Sequence, residues 1–122
     1  MKNKLVYIGH PVGGDIERNI KKILEICHNI HKKNDNIIPF APYVVSLYYL
    51  DDNIVEERKL GMLANQEHFE RKTMDEVWLF GSRISEGMKW EIEQAAKYGI
   101  PIKVCNSKLK KEFEKIYKSC QI

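Results

Sequence analysis

Short apolar runs alternate along this chain with segments whose apolar residues recur every three or four positions. Lys4-Leu5-Val6-Tyr7-Ile8 is nearly continuous in β-prone residues, as in a strand covered on both faces, and Gly9, His10, Pro11, Gly13 and Gly14 stop it. Asp15 is placed to cap a helix whose apolar positions are Ile16, Ile20, Ile23, Leu24, Cys27 and Ile30, ending near Lys32-Lys33-Asn34. Asn36-Ile37-Ile38-Pro39-Phe40 supplies a second short strand, with Ala41-Pro42-Tyr43 as the loop leaving it. From Ile54 to about Lys72 a helical pattern carries Leu60, Leu63 and Phe69.

Glu76-Val77-Trp78-Leu79-Phe80 reads as a third, buried strand broken by Gly81 and Ser82, and a helix from Glu86 to Tyr98 stops at Gly99. Pro101 to Cys105 makes a fourth strand before a basic terminal helix. The order β-α-β-α-β-α-β-α predicts an α/β fold: a three-layer, doubly wound, mainly parallel sheet of four to five strands, flavodoxin- or Rossmann-like, with right-handed crossovers. Residues 1–122 form a single expected domain, since no linker or low-complexity stretch divides them. In such sheets ligands sit beyond the carboxyl ends of the strands. The loops Gly9 to Asp15, Ala41 to Tyr43 and Gly81 to Gly87 meet there.

Composition, 43% hydrophobic and 30% charged, is that of a folded domain. The apolar start is too short for a secretory signal and no run approaches the ~20 residues of a membrane span, so a cytoplasmic location without membrane association is expected. Cys27, Cys105 and Cys120 lie in no CxxC or Cys/His spacing, and neither a disulfide framework nor a metal is expected. The net charge of +3 concentrates between Lys103 and Lys118, where six lysines face Glu112 and Glu114. Charge on the outer face of a terminal helix is ordinarily solvated surface, and nucleic acid is not the expected partner.

The first loop, Gly9-His10-Pro11-Val12-Gly13-Gly14-Asp15, leads into a helix N-terminus, where free N–H groups favour an anion or a ligand hydroxyl. It is neither a P-loop nor a GxGxxG fingerprint, and a tight turn that needs glycine explains it equally well. In the loop after the third strand, Ser85 is placed to cap a helix and Gly87 leaves its first turn open to a ligand. Glu91 lies three residues after Met88 and four before Ala95, on the edge of the inward stripe and aimed back toward Gly87. A carboxylate there is expected to stay ionised and to be able to attack a sugar carbon; spacing alone equally describes a border residue of an amphipathic helix.

Tyr7-Ile8-Gly9-His10-Pro11 with Gly13, Gly14 and Asp15, then Asp75 to Gly81, then Ser85-x-Gly87-Met88-x-x-Glu91-Ile92-x-x-Ala95-x-x-x-Gly99-Ile100-Pro101, resemble the nucleoside 2-deoxyribosyltransferase superfamily, especially its small bacterial and phage branch. The likeness covers roughly residues 4 to 105. It implies that Glu91 is the nucleophile that takes the deoxyribosyl group. It implies that Tyr7, Gly9, His10, Pro11, Gly14 and Asp15 of the first loop contact sugar and base, and that Gly81, Ser85, Gly87 and Met88 serve the substrate, Ser85 and Gly87 as holders of a 5′-phosphate. It implies no cofactor, and a homodimer or larger homo-oligomer.

Two departures stand out. Between Ala64 and Thr73 the chain has Asn65, Glu67 and Glu70 but no aspartate of the kind that handles the base proton in such enzymes, and Tyr43 stands where this branch often has histidine. Asp75 reads as a cap at the start of a strand. Glu57 and Arg58 read as an exposed ion pair, the alternative being a carboxylate and a phosphate partner that reach the pocket, Trp78 as core, and Trp90 as a helix face suited to a partner subunit. His28, His31 and His68 form no triad or ligand spacing. The expectation is therefore a nucleoside- or nucleotide-binding protein that cleaves or transfers the N-glycosidic bond of a (deoxy)nucleoside or its 5′-monophosphate. The alternative is a non-catalytic binder, a sponge or sensor of an ADP-ribose-like or cyclic nucleotide signal, phage-encoded anti-defence being one case.

Overall fold

A computed structural model of the chain describes residues 2–121. Four strands, β1 (Lys4–Gly9), β2 (Ile37–Phe40), β3 (Glu76–Leu79) and β4 (Ile102–Val104), form one sheet in the order β2-β1-β3-β4, and every pairing is parallel. The expected α/β architecture is present with four strands. Parallel neighbours need crossovers, and the helices α1 (Ile16–Lys33), α2 (Pro42–Tyr49), α3 (Val55–Glu70), α4 (Glu86–Lys97) and α5 (Lys110–Ser119) supply them or flank the sheet.

Alternate strand residues point to opposite faces, which splits the core in two. Val6 and Ile8 pack with Ile20 and Ile23 of α1 on one face. Tyr7, Val77 and Leu79 pack with Phe69 of α3 and Met88, Ile92 and Ala95 of α4 on the other, where Leu109, Phe113 and Ile116 extend the layer. Asp15 caps α1 by accepting from the Arg18 amide at 3.1 Å, and Asp75 accepts from the Leu5 amide at 2.8 Å, pinning the strand start as expected. Gly99, at φ 68°, ends the α4 segment in the left-handed region.

Four expectations need correction. Pro42 and Tyr43 are not loop but the first turn of α2, because proline at the first helical position has its φ preset and needs no N–H partner. Leu60 and Leu63 face outward, 56% and 59% exposed, whereas Glu57, Gly61, Asn65 and Phe69, spaced every four residues, form the inward stripe of α3. Leu24 is likewise half-exposed, on the outer side of α1. Trp78 is only half-buried: it packs at the edge of the Val6 and Ile8 layer, Lys103 lies 4.4 Å from the ring centroid, and the indole N–H donates to Glu76, itself paired with Lys4 at 2.6 Å. Among the described residues no helix is long and apolar enough to cross a membrane.

Candidate functional site

The order β2-β1-β3-β4 makes the gap between β1 and β3 the point where the winding direction reverses, and the loops after these strands part there. A cleft of about 620 Å³ opens at this place. His10, Val12 and Gly13 from the loop after β1 line it, with Arg83 and the first turns of α4 facing them. Tyr43, Ser46 and Leu47 of α2, Leu50 at its C-terminal cap, and Gly61, Met62 and Asn65 of α3 form its mostly apolar wall.

Glu91 lies at the bottom, 6% exposed. Its only hydrogen-bond donor among the described residues is the Tyr7 phenol, which is wholly buried and also accepts from Asn65 Nδ2 at 2.8 Å. Phe69 and Tyr43 pack against the Tyr7 ring at 5.0 and 5.7 Å between centroids, so the phenol has little freedom to turn away. Gly9 allows the approach from the other side: a Cβ there would meet Leu79 Cδ2 at 2.8 Å and Glu91 Oε1 at 3.4 Å.

This setting corrects the expectation that Glu91 stays ionised. Burial pushes its pKa up to about 8, and the hydrogen bond from Tyr7 recovers only part of that shift. Burial therefore favours the protonated carboxyl at neutral pH. Burial first, and the Glu91 charge second, raise Tyr7 and Tyr43 well above the usual phenol range, so both remain neutral donors. Burial lowers the pKa of His10, whose Nδ1 lies 2.7 Å from the Pro11 carbonyl oxygen, and neutral imidazole is favoured there.

Of the residues singled out from sequence, the cleft brings together His10, Ser85, Gly87, Met88 and Glu91. Ser85 Oγ caps α4 by accepting from the Met88 amide at 3.2 Å. Six others stand outside the lining. Tyr7 and Gly9 lie behind it, in contact with Glu91; Pro11 and Gly81 brace the two loops against each other; Gly14 and Asp15 point away, the latter spent on capping α1. Gly81 is required by that bracing, since it sits at φ 94° and a Cβ would fall 2.6 Å from Pro11 Cδ.

Glu57 and Arg58 both line the cleft and form no ion pair among the described residues; Glu57 instead accepts from the Asp51 amide at 3.0 Å, which ties the α2–α3 connection to α3. Trp90 also lines the cleft, edge-on to Phe69 at 5.7 Å. Tyr43 donates to the Ile8 carbonyl at 2.6 Å, so the position where a histidine was a possibility is a structural strut. Sequence reasoning missed the α2 wall and the part played by Asn65. The spacing of Asn65, four residues after Gly61 and four before Phe69, was the available signal.

The model of a domain of unknown function, DUF7768, matches residues 4–105, from the start of β1 to one residue past β4 and across every loop of the cleft. The chain belongs to the DUF7768 family. No curated protein matches it. Among solved structures, the DUF7768 chain is similar to a conserved protein from Enterococcus faecalis V583, with a TM-score of 0.58 and 18% identity over 84% of this chain. It spans 62% of that protein's length, and the likeness supports the fold of the DUF7768 domain and nothing further.

Proposed function

We propose that the protein binds a nucleoside or nucleoside 5′-monophosphate in this cleft and cleaves or transfers its N-glycosidic bond, with Glu91 as nucleophile. The observation that carries this reading is a recessed carboxyl held by a buried phenol at the strand switch point, directly beside a capped helix N-terminus. The sugar then lies over Glu91, its 5′ side toward Ser85 and Gly87, where the α4 dipole and free N–H groups favour oxygen or phosphate. The base lies toward Leu47, Leu50 and Met62, whose apolar surfaces suit its faces.

The attacking form is the Glu91 carboxylate, so the proton that burial favours leaves to solvent before attack. A carboxylate oxygen of Glu91 bonds to C1′ on the face opposite the base while the C1′–N bond breaks with its electron pair to the base, whose nitrogen takes a proton from water. Water or a second base then attacks C1′, the C1′–O bond to Glu91 breaks to return the carboxylate, and the proton of the attacking group passes to solvent.

The same protonated carboxyl favours a second reading, a binder that retains its ligand intact, since a neutral acid donates a hydrogen bond well and attacks poorly. Incubation with nucleosides, 5′-monophosphates, NAD and cyclic nucleotides, followed by chromatography, separates the two. Free base lost in Glu91→Gln supports the enzyme. Intact ligand recovered from the protein supports the binder.

A homo-oligomer belongs to the same proposal. Val45, Tyr48 and Tyr49 of α2 and Val55, Leu60 and Leu63 of α3 are all more than half exposed, on the two helices that wall the cleft. An apolar surface of this kind is one that a second copy covers.

A further inference from the structure

The amide of Asn65 is more than nine-tenths buried, lines the cleft, and is satisfied at one end only. Its Nδ2 donates to the Tyr7 hydroxyl at 2.8 Å, while its Oδ1 has no hydrogen-bond partner among the described residues. A buried carbonyl oxygen without a donor is costly to keep, and native structures rarely retain one without a purpose. Turning the amide over does not help. Tyr7 has one proton, and when Glu91 is ionised, as attack on a sugar requires, that proton goes to the carboxylate. Tyr7 must then accept from Asn65 Nδ2, and Oδ1 is the end left for something else.

We infer that Asn65 is a specificity-determining residue whose Oδ1 accepts a hydrogen bond from the exocyclic amine of the bound base. This rests on the nucleoside reading of the cleft and goes beyond it in naming the base class. The position agrees: Asn65 adjoins the Tyr7–Glu91 pair on the α3 side, with Gly61 one turn before it leaving room, and with Leu47, Leu50 and Met62 on the base's side of the cleft. The oxygen is recessed, and an amine that projects from the ring is the base donor suited to a recessed acceptor. A base with no donor at that point leaves Oδ1 unpaired in a site from which the ligand has expelled water. Such sites discriminate strongly against the analogue that lacks the group. The amide itself carries no acid, so Asn65 selects the base without protonating it.

The test compares the affinities of 2′-deoxyadenosine and purine 2′-deoxyriboside, which differ by the amino group, by calorimetry on Glu91→Gln. That variant prevents turnover, and its amide oxygen still accepts from Tyr7. The amino nucleoside is expected to bind about tenfold more tightly, a difference of about 1.4 kcal/mol. Adding Asn65→Leu is expected to bring the two within about twofold by weakening the amino nucleoside alone. Equal affinities with Asn65 in place overturn the inference and decide the matter even where the leucine variant does not fold. So does a tenfold ratio that survives Asn65→Leu. Binding of neither nucleoside overturns the inference, and binding of no nucleoside or 5′-monophosphate in the same calorimetry overturns the nucleoside reading itself.

Discussion

The Tyr7 phenol donates a hydrogen bond to the carboxyl of Glu91, 84 residues further along the chain, and this is the one hydrogen bond that Glu91's side chain receives from the described residues. It joins the middle of β1 to the second turn of α4 across the face of the sheet. Because burial raises the Glu91 pKa and Tyr7 partly lowers it, the pair sets the pH at which the carboxylate appears.

The first consequence concerns stability. The Glu91 pKa is about 8 in the folded protein against an ordinary 4.5, so between these values the folded state keeps a proton that the unfolded state has lost. Stability should fall as pH rises through that window, by up to roughly 5 kcal/mol. Thermal melts from pH 5 to pH 9 should show this decline in the wild type and a flatter profile in Glu91→Gln. Parallel profiles would remove the buried acid from the account.

Tyr7→Phe deletes the hydrogen bond that lowers the Glu91 pKa and leaves Asn65 Nδ2 without its acceptor. Urea titration should show a loss of about 1–3 kcal/mol. The rise of base release with pH should move to higher pH, a change that a purely structural tyrosine would not produce.

Gly81 and Gly87 should respond in opposite ways to alanine. At Gly81 the left-handed backbone and the 2.6 Å approach to Pro11 Cδ predict a loss of roughly 1–3 kcal/mol. At Gly87, in the first turn of α4, a Cβ meets nothing closer than Ser85 Oγ at 3.9 Å, and helix propensity predicts a gain of up to about 1 kcal/mol. Gly87→Ala should nonetheless weaken ligand binding, because the added methyl stands in the cleft. Denaturation and calorimetry on the two variants check both directions.

Leu63→Lys places a charge at the centre of the exposed α2–α3 surface. Light scattering should find an oligomer in the wild type and a smaller species in the variant. A monomeric wild type at its highest soluble concentration would leave this surface without a second copy.

The strands, their parallel order and three of the caps were legible because each is written locally: continuous apolar runs, Asp15 and Ser85 before helices, Gly99 after one. Glu91's inward direction followed from helical spacing. Its protonation did not, since ionisation depends on what lies above a residue in three dimensions, here Tyr7 and the walls of α2 and α3. The helix at Pro42 was hidden by β-prone residues such as Val44, Val45, Tyr48 and Tyr49, for which tertiary packing outweighs propensity. The inverted α3 was hidden for a related reason: the apolar stripe there faces outward, while the stripe facing the protein contains Glu57, Gly61 and Asn65.

The most direct test of the central claim is the rate of free-base formation from 2′-deoxynucleosides and their 5′-monophosphates, wild type against Glu91→Gln, across pH 6 to pH 9. Release of base that is lost in Glu91→Gln, while the variant still binds the nucleoside, is the predicted result. Base released equally by both proteins, or ligand returned intact by the wild type at every pH, would contradict it.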